Sequence, residues 1–400
     1  MTSSPVDWHE RANEAARSVT GLFGRRLFFL PGTHLGGIQR PAPRWRDDVK
    51  GKLLQPWHYW WQAHYVDCLV DAGRRELGKG ATPAARFNGP EHPSAGRLAS
   101  RLVTGIRLRN GLTVVNNYYD DMAWLALATL RLDALAQETR RPGRRRNAAV
   151  RKTLTLQFDA ACTDDLGGGS FWSKKRDFKN TPATAPVALF YARTGQRAKA
   201  QSLLDWLDVT LFDPGQGLYL DGVRLSPDGN VLTERAVYTY NQGPVLGALL
   251  ELGGEANLAR AAMLVEAVDR HLTVPAGGGN DGGAAAGQLT VLRCEGTGDG
   301  GLFTGILCRY LALAAADPRL PRQARATAAR LVTGTAQAFW AGRRPAAGNG
   351  NREEQPGRLA FPLHAEDRGA PSPAGAGVEL STQLQAWMAI EAAASIAALD

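Results

Sequence analysis

Apolar residues recur with the 3.6-residue period of an α-helix along almost the whole chain, and this pattern limits the possible folds more than any other feature. Glycine and proline divide the pattern into about twelve segments. The predicted helices span residues 7–22, 55–76, 93–108, 118–138, 145–159, 179–194, 196–212, 237–253, 255–273, 300–316, 320–341 and 379–398. The fourth is apolar on nearly every side between Ala123 and Leu135, which is typical of a fully buried helix.

The connections between these helices alternate between short and long. Residues 193–195 and 253–254 are short turns, whereas residues 167–173 and 276–287 are long and rich in glycine. Twelve helices joined in this way predict an all-α fold, an (α/α)6 toroid of two concentric rings whose long loops shape one rim. Because no segment resembles a linker, we expect residues 1–400 to form a single domain.

One inter-helix segment has a different pattern. Apolar and polar residues alternate through residues 218–237 around Asp228-Gly229, which predicts a small β-hairpin inserted between two helices. The next helix opens with Thr239, and we expect Pro244 in its first turn, where the missing N–H costs little.

Composition and charge exclude several classes of protein. Hydrophobic residues make up 44% of the chain and charged residues 21%, which excludes a disordered protein. The four cysteines lie far apart without a C-x-x-C pair, which argues against a zinc ribbon or a dense disulfide framework. The seven histidines show no spacing typical of metal ligands, so we expect no metal and no cofactor.

The net charge of +9 permits an anionic partner without requiring one. The basic turn at residues 140–146 lacks the interleaved aromatic rings that stack on bases, so we expect no nucleic-acid partner. The apolar stretches fall short of the ~20 residues of a membrane span. The N-terminal sequence lacks the pattern of a secretory signal. A cytoplasmic monomer without a membrane span is therefore the expectation.

Two adjacent carboxylates, Asp120 and Asp121, open the otherwise apolar fourth helix, with aromatic side chains around them. Their carboxyl groups are expected about 5–6 Å apart because neighbouring helical residues diverge by roughly 100°. Retaining glycosidases need ~5–5.5 Å between their two carboxyls. The alternative is an ordinary helix-capping cluster. The pairs Asp47-Asp48 and Asp164-Asp165 show that two consecutive aspartates are not specific by themselves.

The longer sequence around this pair is more specific. NNYYDDMAWLALA, at residues 116–128, resembles the active-site helix of glycoside hydrolase family 76, the endo-α-1,6-mannanases. Further segments agree in order and spacing: YWWQA at 59–63, GGGSFW at 167–172 followed by Lys179-Asn180, YTYNQGPVLGALLEL at 238–252 and GDGGLFTGILCRYLA at 298–312. The resemblance implies an (α/α)6 fold and hydrolysis of α-1,6-linked mannose. It also implies that Asp120 is the nucleophile and Asp121 the general acid/base.

The remaining motif residues suit a sugar cleft, since aromatic rings offer flat faces to pyranoses and amides both donate and accept hydrogen bonds. The candidate substrate-binding residues are Asn116, Asn117, Tyr118, Tyr119, Trp124, Trp172, Lys179, Asn180, Tyr238, Tyr240, Asn241, Gln242, Asp299 and Phe303. For any single aromatic, a place in the core is the alternative. Pro182 and Pro186 depart from the uninterrupted helix start expected after Asn180.

We therefore expect a retaining glycoside hydrolase whose partner is α-mannan or a manno-oligosaccharide. Another α-glycosidase or a transglycosylase on the same toroid is the first alternative, because water and an acceptor sugar compete for the same intermediate. A non-catalytic carbohydrate-binding protein is the second.

Overall fold

The helices form two concentric rings in the computed structural model, which describes residues 6–40, 56–78, 85–140, 144–226, 228–276, 290–347, 354–367 and 377–398. The inner ring consists of α2 (Tyr59–Leu77), α4 (Tyr119–Glu138), α6 (Thr181–Arg193), α8 (Thr239–Leu252), α10 (Phe303–Ala316) and α12 (Leu380–Ala397). The outer ring consists of α1 (Trp8–Phe23), α3 (Ala95–Arg109), α5 (Arg144–Ala161), α7 (Arg197–Thr210), α9 (Glu255–His271) and α11 (Arg322–Ala341). Each inner helix packs on the next, and α12 packs on α2, which closes the ring. The predicted (α/α)6 toroid is confirmed.

The two rings differ in how their helices are buried. Inner helices such as α6 and α12 bury residues on every side, because the ring centre lies on one side and the outer helices on the other. Outer helices such as α7 bury one stripe and expose the rest. The difference is visible in the sequence. Inner helices such as α6 and α12 have nearly continuous apolar runs, whereas outer helices such as α7 have apolar residues with a 3.6-residue period.

Thirteen short strands lie in the connections within the described ranges. They are β1 (Gly24–Arg25), β2 (Leu35–Gly36), β3 (Gln39–Arg40), β4 (Phe178–Asn180), β5 (Phe212–Asp213), β6 (Leu218–Tyr219), β7 (Gly222–Leu225), β8 (Val231–Glu234), β9 (Thr273–Pro275), β10 (Thr290–Leu292), β11 (Arg344–Ala347), β12 (Glu354–Ala360) and β13 (Val378–Glu379). The pairs β1–β2, β3–β13, β5–β6, β9–β10 and β11–β12 form two-stranded antiparallel sheets. The predicted hairpin is confirmed as β7–β8, with Leu225 opposite Val231, and β4 extends it to three antiparallel strands.

The helix ends depart from the sequence-based bounds in a few places, each for a local reason. Helix α6 begins at Thr181 rather than 179, because residues 178–180 pair with β7 and Asn180 caps the helix. Helix α10 begins at Phe303, because Gly298–Leu302 forms a turn of 3-10 helix before it. The placement of Pro244 in a first turn was wrong, since α8 begins at Thr239 and Pro244 lies further inside the helix.

Four charged side chains join three inner helices. Asp67 of α2 pairs with Arg131 of α4 at 2.7 Å and with Arg309 of α10 at 3.4 Å. Asp71, one turn further along α2, pairs with the same two arginines. Two carboxylates therefore face two guanidinium groups, and this cluster is electrically balanced.

Consecutive helices run in opposite directions, so the inner helices run parallel and their first turns meet at one rim, here called the N-terminal rim. The rings of Trp60 (α2), Tyr240 (α8) and Phe303 (α10) approach one another there. Over the described ranges, no helix is both long enough and apolar enough to cross a bilayer.

Candidate active site

The start of α4 is held by the loop that carries the GGGSFW motif. The backbone N–H of Tyr119 donates to the carbonyl of Trp172 at 2.8 Å, and Tyr118 forms a β-bridge with Ser173. This pairing places the indole of Trp172 beside the first turn of α4, where its Nε1 donates to Asp120. Two motifs that are distant in sequence thus form one wall of the N-terminal rim.

Asp120 and Asp121 lie half-buried in that first turn. Oδ1 of Asp120 accepts the backbone N–H of Asp121 at 2.9 Å, and Oδ2 accepts the indole N–H of Trp172 at 3.0 Å. Oδ2 of Asp121 accepts from the amide of Asn116 at 2.5 Å. All three donors are neutral. Among the ion pairs of the described residues, none involves either carboxylate.

Burial raises the pKa of both carboxyl groups above the ordinary aspartate value, because the charged form loses hydration. For Asp120, hydrogen bonds from the backbone and from Trp172 oppose this effect. For Asp121, the negative charge of Asp120 is the second cause, and the pKa lies well above its usual range. We therefore expect Asp121 to hold its proton to higher pH than Asp120.

A third carboxylate, Asp299, comes from the short 3-10 turn before α10 and is exposed. Its Oδ1 accepts two indole N–H groups, from Trp60 at 3.0 Å and Trp61 at 2.7 Å. Its charge also contributes to the raised pKa of Asp120 and of Asp121, so the three carboxylates share one cleft.

Aromatic rings from α8 and α10 border this cleft. Tyr240 and Phe303 stack with their centroids 3.8 Å apart, and Tyr238 meets Phe303 edge-on at 5.5 Å. Burial raises the pKa of the Tyr240 hydroxyl, and the charges of nearby carboxylates, Asp120 and Asp299 among them, raise it further. The cluster therefore lies beside the carboxylates.

Two further rings are open to solvent beside Asp120. Tyr118 is 41% exposed and Trp172 is 36% exposed, with ring centroids 5.0 Å apart. Asn117 is exposed next to them. Exposed aromatic faces beside a carboxylate are suited to stacking on pyranose rings.

Lys179 lies in a different place from the sugar contact that the sequence suggested. Its side chain is fully buried, and Nζ donates to the carbonyls of Thr163 (2.7 Å), Asp165 (2.6 Å) and Gly168 (2.7 Å). Gly169, in the same loop, has φ +74°, and a Cβ there would lie 2.5 Å from the ring of Trp206. The ammonium of Lys179 and the glycines together hold the loop that carries Trp172. Lys179 therefore positions Trp172.

Two amide candidates also have partners inside the protein. Oδ1 of Asn180 accepts from the backbone of Ala183 at 3.1 Å and caps α6. Gln242 accepts from the N–H of Tyr219 and donates to its carbonyl, both at 2.9 Å, which ties β6 to α8. These two side chains stabilise the backbone under the rim and do not face the cleft.

Two of the aromatic candidates are core residues. Tyr119 is 4% exposed and Trp124 is 2% exposed, and the ring of Trp124 packs on His64. Since pyranose stacking needs an open ring face, we assign both to packing under the rim.

Sequence reasoning missed Asp221 and Glu295. Asp221 follows β6, and burial raises its pKa to about 6; Oδ1 lies 3.4 Å from the amide of Asn241. Its charge reaches the Tyr240 hydroxyl, which puts it at the cleft. Glu295 accepts the N–H of Thr239 at 2.9 Å and its hydroxyl at 2.6 Å, and so holds the first turn of α8. Neither residue sits in a motif that marks its role.

A cavity of about 1250 Å³ lies elsewhere, between α3, α4 and α5. Arg97, Arg101 and Asp133 are among its lining residues, and Asp133 is already paired with Arg151 at 2.6 Å. This cavity offers no unpaired carboxylate couple, so the chemistry of the described residues points to the N-terminal rim.

Solved structures resemble the whole chain. The GH76A α-1,6-mannanase from Salegentibacter sp. HEL1_6 is 26% identical, with a TM-score of 0.72, and the match covers 98% of this chain and 100% of that one. An inactive variant of that enzyme, in which two consecutive aspartates are replaced by asparagine, is in complex with α-1,6-mannotriose and has a TM-score of 0.73 at the same identity and coverage. The Lin0763 protein from Listeria innocua, 23% identical over 99% of both chains, shares the fold with a TM-score of 0.72.

No curated protein matches the sequence significantly. The profile of "Glycosyl hydrolase family 76", by contrast, matches residues 41–352, which is more than half of the chain and includes every candidate residue of the rim. The chain therefore belongs to glycosyl hydrolase family 76.

Proposed function

We propose that this protein hydrolyses α-1,6-mannosidic bonds with retention of anomeric configuration, with Asp120 as nucleophile and Asp121 as general acid/base. The observation that carries the proposal is the pair of adjacent carboxylates in the first turn of α4, whose hydrogen bonds within the described residues come from neutral donors. The replacement of two consecutive aspartates in the inactive Salegentibacter variant supports the same pair.

In the first step, an oxygen of Asp120 attacks the anomeric carbon while the bond from that carbon to the glycosidic oxygen breaks. Asp121 gives its proton to the departing oxygen, so the leaving sugar departs as a neutral alcohol. Asp121 is then a carboxylate, and Asp120 is bonded to the sugar. The two hydrogen bonds that Asp120 accepts, from the Asp121 backbone and the Trp172 indole, hold its orientation for this attack.

In the second step, Asp121 accepts a proton from water, whose oxygen attacks the anomeric carbon and releases Asp120 as a carboxylate. Two displacements restore the original configuration. Burial and the charge of Asp120 raise the pKa of Asp121, which supports its role as the proton carrier. The covalent bond neutralises Asp120 in the intermediate, which removes one of those causes and lowers the pKa of Asp121. Asp121 can therefore stay ionised as the base of the second step until the ester is hydrolysed.

We assign the substrate contacts to the residues with open faces or free polar atoms at the rim: Asn117, Tyr118, Trp172, Tyr238, Tyr240 and Asp299. Phe303 is buried and packs behind Tyr240, so it supports the cleft from the core. Asn116 orients Asp121 through its 2.5 Å hydrogen bond. Mannan is the proposed polymer because the Salegentibacter relative is an α-1,6-mannanase. A neutral polymer releases no counterions, so binding should depend little on salt in spite of the +9 charge. We propose that the protein acts as a monomer, and the cytoplasmic location expected from the N-terminal sequence stays a prediction.

The experiment is a turnover screen on linear α-1,6-, α-1,2- and α-1,3-linked manno-oligosaccharides, with early products followed by NMR. We expect cleavage of the α-1,6 series and initial release of the α anomer. Initial release of the β anomer would overturn the adjacent pair, because inversion needs carboxyls about 6.5–9.5 Å apart. Longer oligosaccharides among the products would identify a transglycosylase, and binding without turnover a carbohydrate-binding protein. A tenfold loss of mannan affinity between about 50 and 200 mM salt would point to an anionic ligand.

A further inference from the structure

Three side chains of the types that bind transition metals meet outside the carboxylate cleft. Cys294 follows β10, and His364 and Glu366 follow β12. One ligand atom from each, a sulfur, an imidazole nitrogen and a carboxylate oxygen, lie within 4.8 Å of one another. No metal-binding spacing is visible in the sequence, because the cysteine and the other two residues are far apart in the chain and only the fold brings them together.

The cluster contains acceptors that no donor in the described residues satisfies. Nδ1 of His364 and Oε2 of Glu366 are buried without a hydrogen-bond partner there. Nδ1 lies 3.8 Å from Oε1 of Glu366, too far for a hydrogen bond. A buried polar atom without a partner destabilises the folded state, so two in one cluster indicate a missing partner.

Gln385 of α12 adds to this excess of acceptors. Its side chain is fully buried, with Nε2 at 3.7 Å from Cys294 Sγ and with Oε1 unpartnered among the described residues. Nε2 also donates to the carbonyl of Leu363 at 3.3 Å, and a half turn of the amide, which breaks that bond, would exchange the two atoms and aim Oε1 at the cluster. The backbone N–H of Ala365 also donates to Sγ at 3.4 Å. N–H groups aimed at a sulfur are the usual outer partners of a metal thiolate.

The ligand set selects among cations. Calcium and magnesium prefer oxygen ligands alone, whereas zinc accepts thiolate, imidazole and carboxylate at about 2.0–2.3 Å in a tetrahedral arrangement. In that arrangement two ligands of one zinc ion lie about 3.3–3.8 Å apart. The three ligand atoms lie within 4.8 Å of one another, so the widest pair closes by up to about 1.5 Å on binding, through rotation of the half-buried side chains.

We propose that Cys294, His364 and Glu366 bind one zinc ion, with Gln385 or water in the fourth position. The ion would fasten residues 361–367 to α12 and to the segment after β10. Glu295, next to Cys294, holds the first turn of α8, so the site supports the N-terminal rim from outside. This inference does not depend on the proposed mannanase activity.

The test is a titration of the full-length protein, stripped with a chelator, with zinc chloride by calorimetry and with cobalt chloride by absorption. We expect one equivalent of zinc, a thiolate-to-cobalt charge-transfer band, and a melting temperature that rises with zinc. Cys294→Ala and His364→Ala should each lose the cobalt band and bind zinc at least tenfold more weakly. Cys162→Ser and His92→Ala, which change a half-buried cysteine and an exposed histidine elsewhere, should behave as the wild type.

Circular dichroism and the melting temperature without metal show whether the variants are folded. If Cys294→Ala does not fold, Glu366→Gln supplies the same comparison with a nearly isosteric change. Zinc binding below half an equivalent in the wild type would overturn the proposal. Equal binding by the cluster variants and the control variants would also overturn it.

Discussion

Two groups of aspartates in the inner ring and at its rim have opposite electrostatic surroundings. Asp67 and Asp71 face Arg131 and Arg309 in the balanced cluster that joins α2, α4 and α10. Asp120, at the start of α4, accepts neutral N–H groups from the described part of the chain and lies beside two more carboxylates, Asp121 and Asp299. The same residue type is compensated in one region and left uncompensated in the other.

This difference separates carboxylates that stabilise the fold from carboxylates that are suited to catalysis. Burial lowers the pKa of the Arg131 guanidinium, but the charges of Asp71 and Asp67 outweigh that effect and raise it, so this guanidinium stays charged. At the rim, burial and like charge raise the pKa of the carboxyls instead. A carboxyl that can gain and lose a proton near neutral pH suits acid/base catalysis, whereas one locked beside an arginine suits structure.

The largest expected effect comes from Asp120→Asn, which removes the nucleophile. We expect turnover of α-1,6-mannotetraose to fall by about 10⁴-fold or more, since loss of a nucleophile removes the covalent route. Asp165→Asn is the matched control, because it changes one member of another consecutive pair, at an exposed position. A loss below tenfold in Asp120→Asn would show that this carboxylate is not the nucleophile.

Asp121→Asn should slow the same substrate by about 10²–10⁴-fold, the usual contribution of a general acid. The loss should be much smaller for the first step with an activated aryl mannoside, because that leaving group needs no proton. The second step would still lack its base, so added azide should accelerate turnover of this variant. Equal losses on both substrates, with no response to azide, would contradict the acid/base role.

The balanced cluster should respond in stability rather than in chemistry. Arg131→Met leaves one buried and one half-buried carboxylate with one guanidinium, and we expect a loss of about 3–5 kcal/mol in the free energy of unfolding. Denaturant titration measures this loss. Turnover per folded molecule should stay within several-fold of the wild type at low temperature. A large loss of turnover in a fully folded variant would contradict the structural role assigned to the balanced cluster.

Replacing a carboxylate at the rim should increase stability instead of lowering it, and the increase should depend on pH. A raised pKa means that the folded state favours the protonated form, so its contribution is present below the unfolded pKa of about 3.9 and is lost as pH rises through the folded value. Asn cannot ionise, so Asp121→Asn should match the wild type near pH 4 and melt at a higher temperature near pH 7. A variant that melts lower than the wild type at pH 7 would contradict this sign.

The smallest effect is expected at Asp164 and Asp165, which are exposed at the loop that carries the glycine motif. Asp164→Asn and Asp165→Asn should change the free energy of unfolding by no more than about 0.5 kcal/mol and leave turnover within several-fold. A large loss of turnover in either folded variant would move the catalytic assignment away from α4. The third pair, Asp47-Asp48, lies outside the described residues.

The sequence by itself determined the ring architecture and the position of the carboxylate pair. Continuous apolar runs and 3.6-residue periods are local properties, so the helices were predictable to within a few residues even where tertiary contacts trim their ends. The NNYYDDMAW segment is likewise local, and its two aspartates lie at a helix start in the structure as the pattern indicated.

Which motif residues face the cleft was decided only by the tertiary structure. Lys179 and Gln242 carry polar groups that could equally bind a sugar or a carbonyl of the chain, and only the fold shows that backbone groups take them. Asp221 and the cluster at Cys294 carried no local signal. Their surroundings come from segments distant in sequence, because burial and charge depend on what packs around a side chain rather than on its neighbours in the chain.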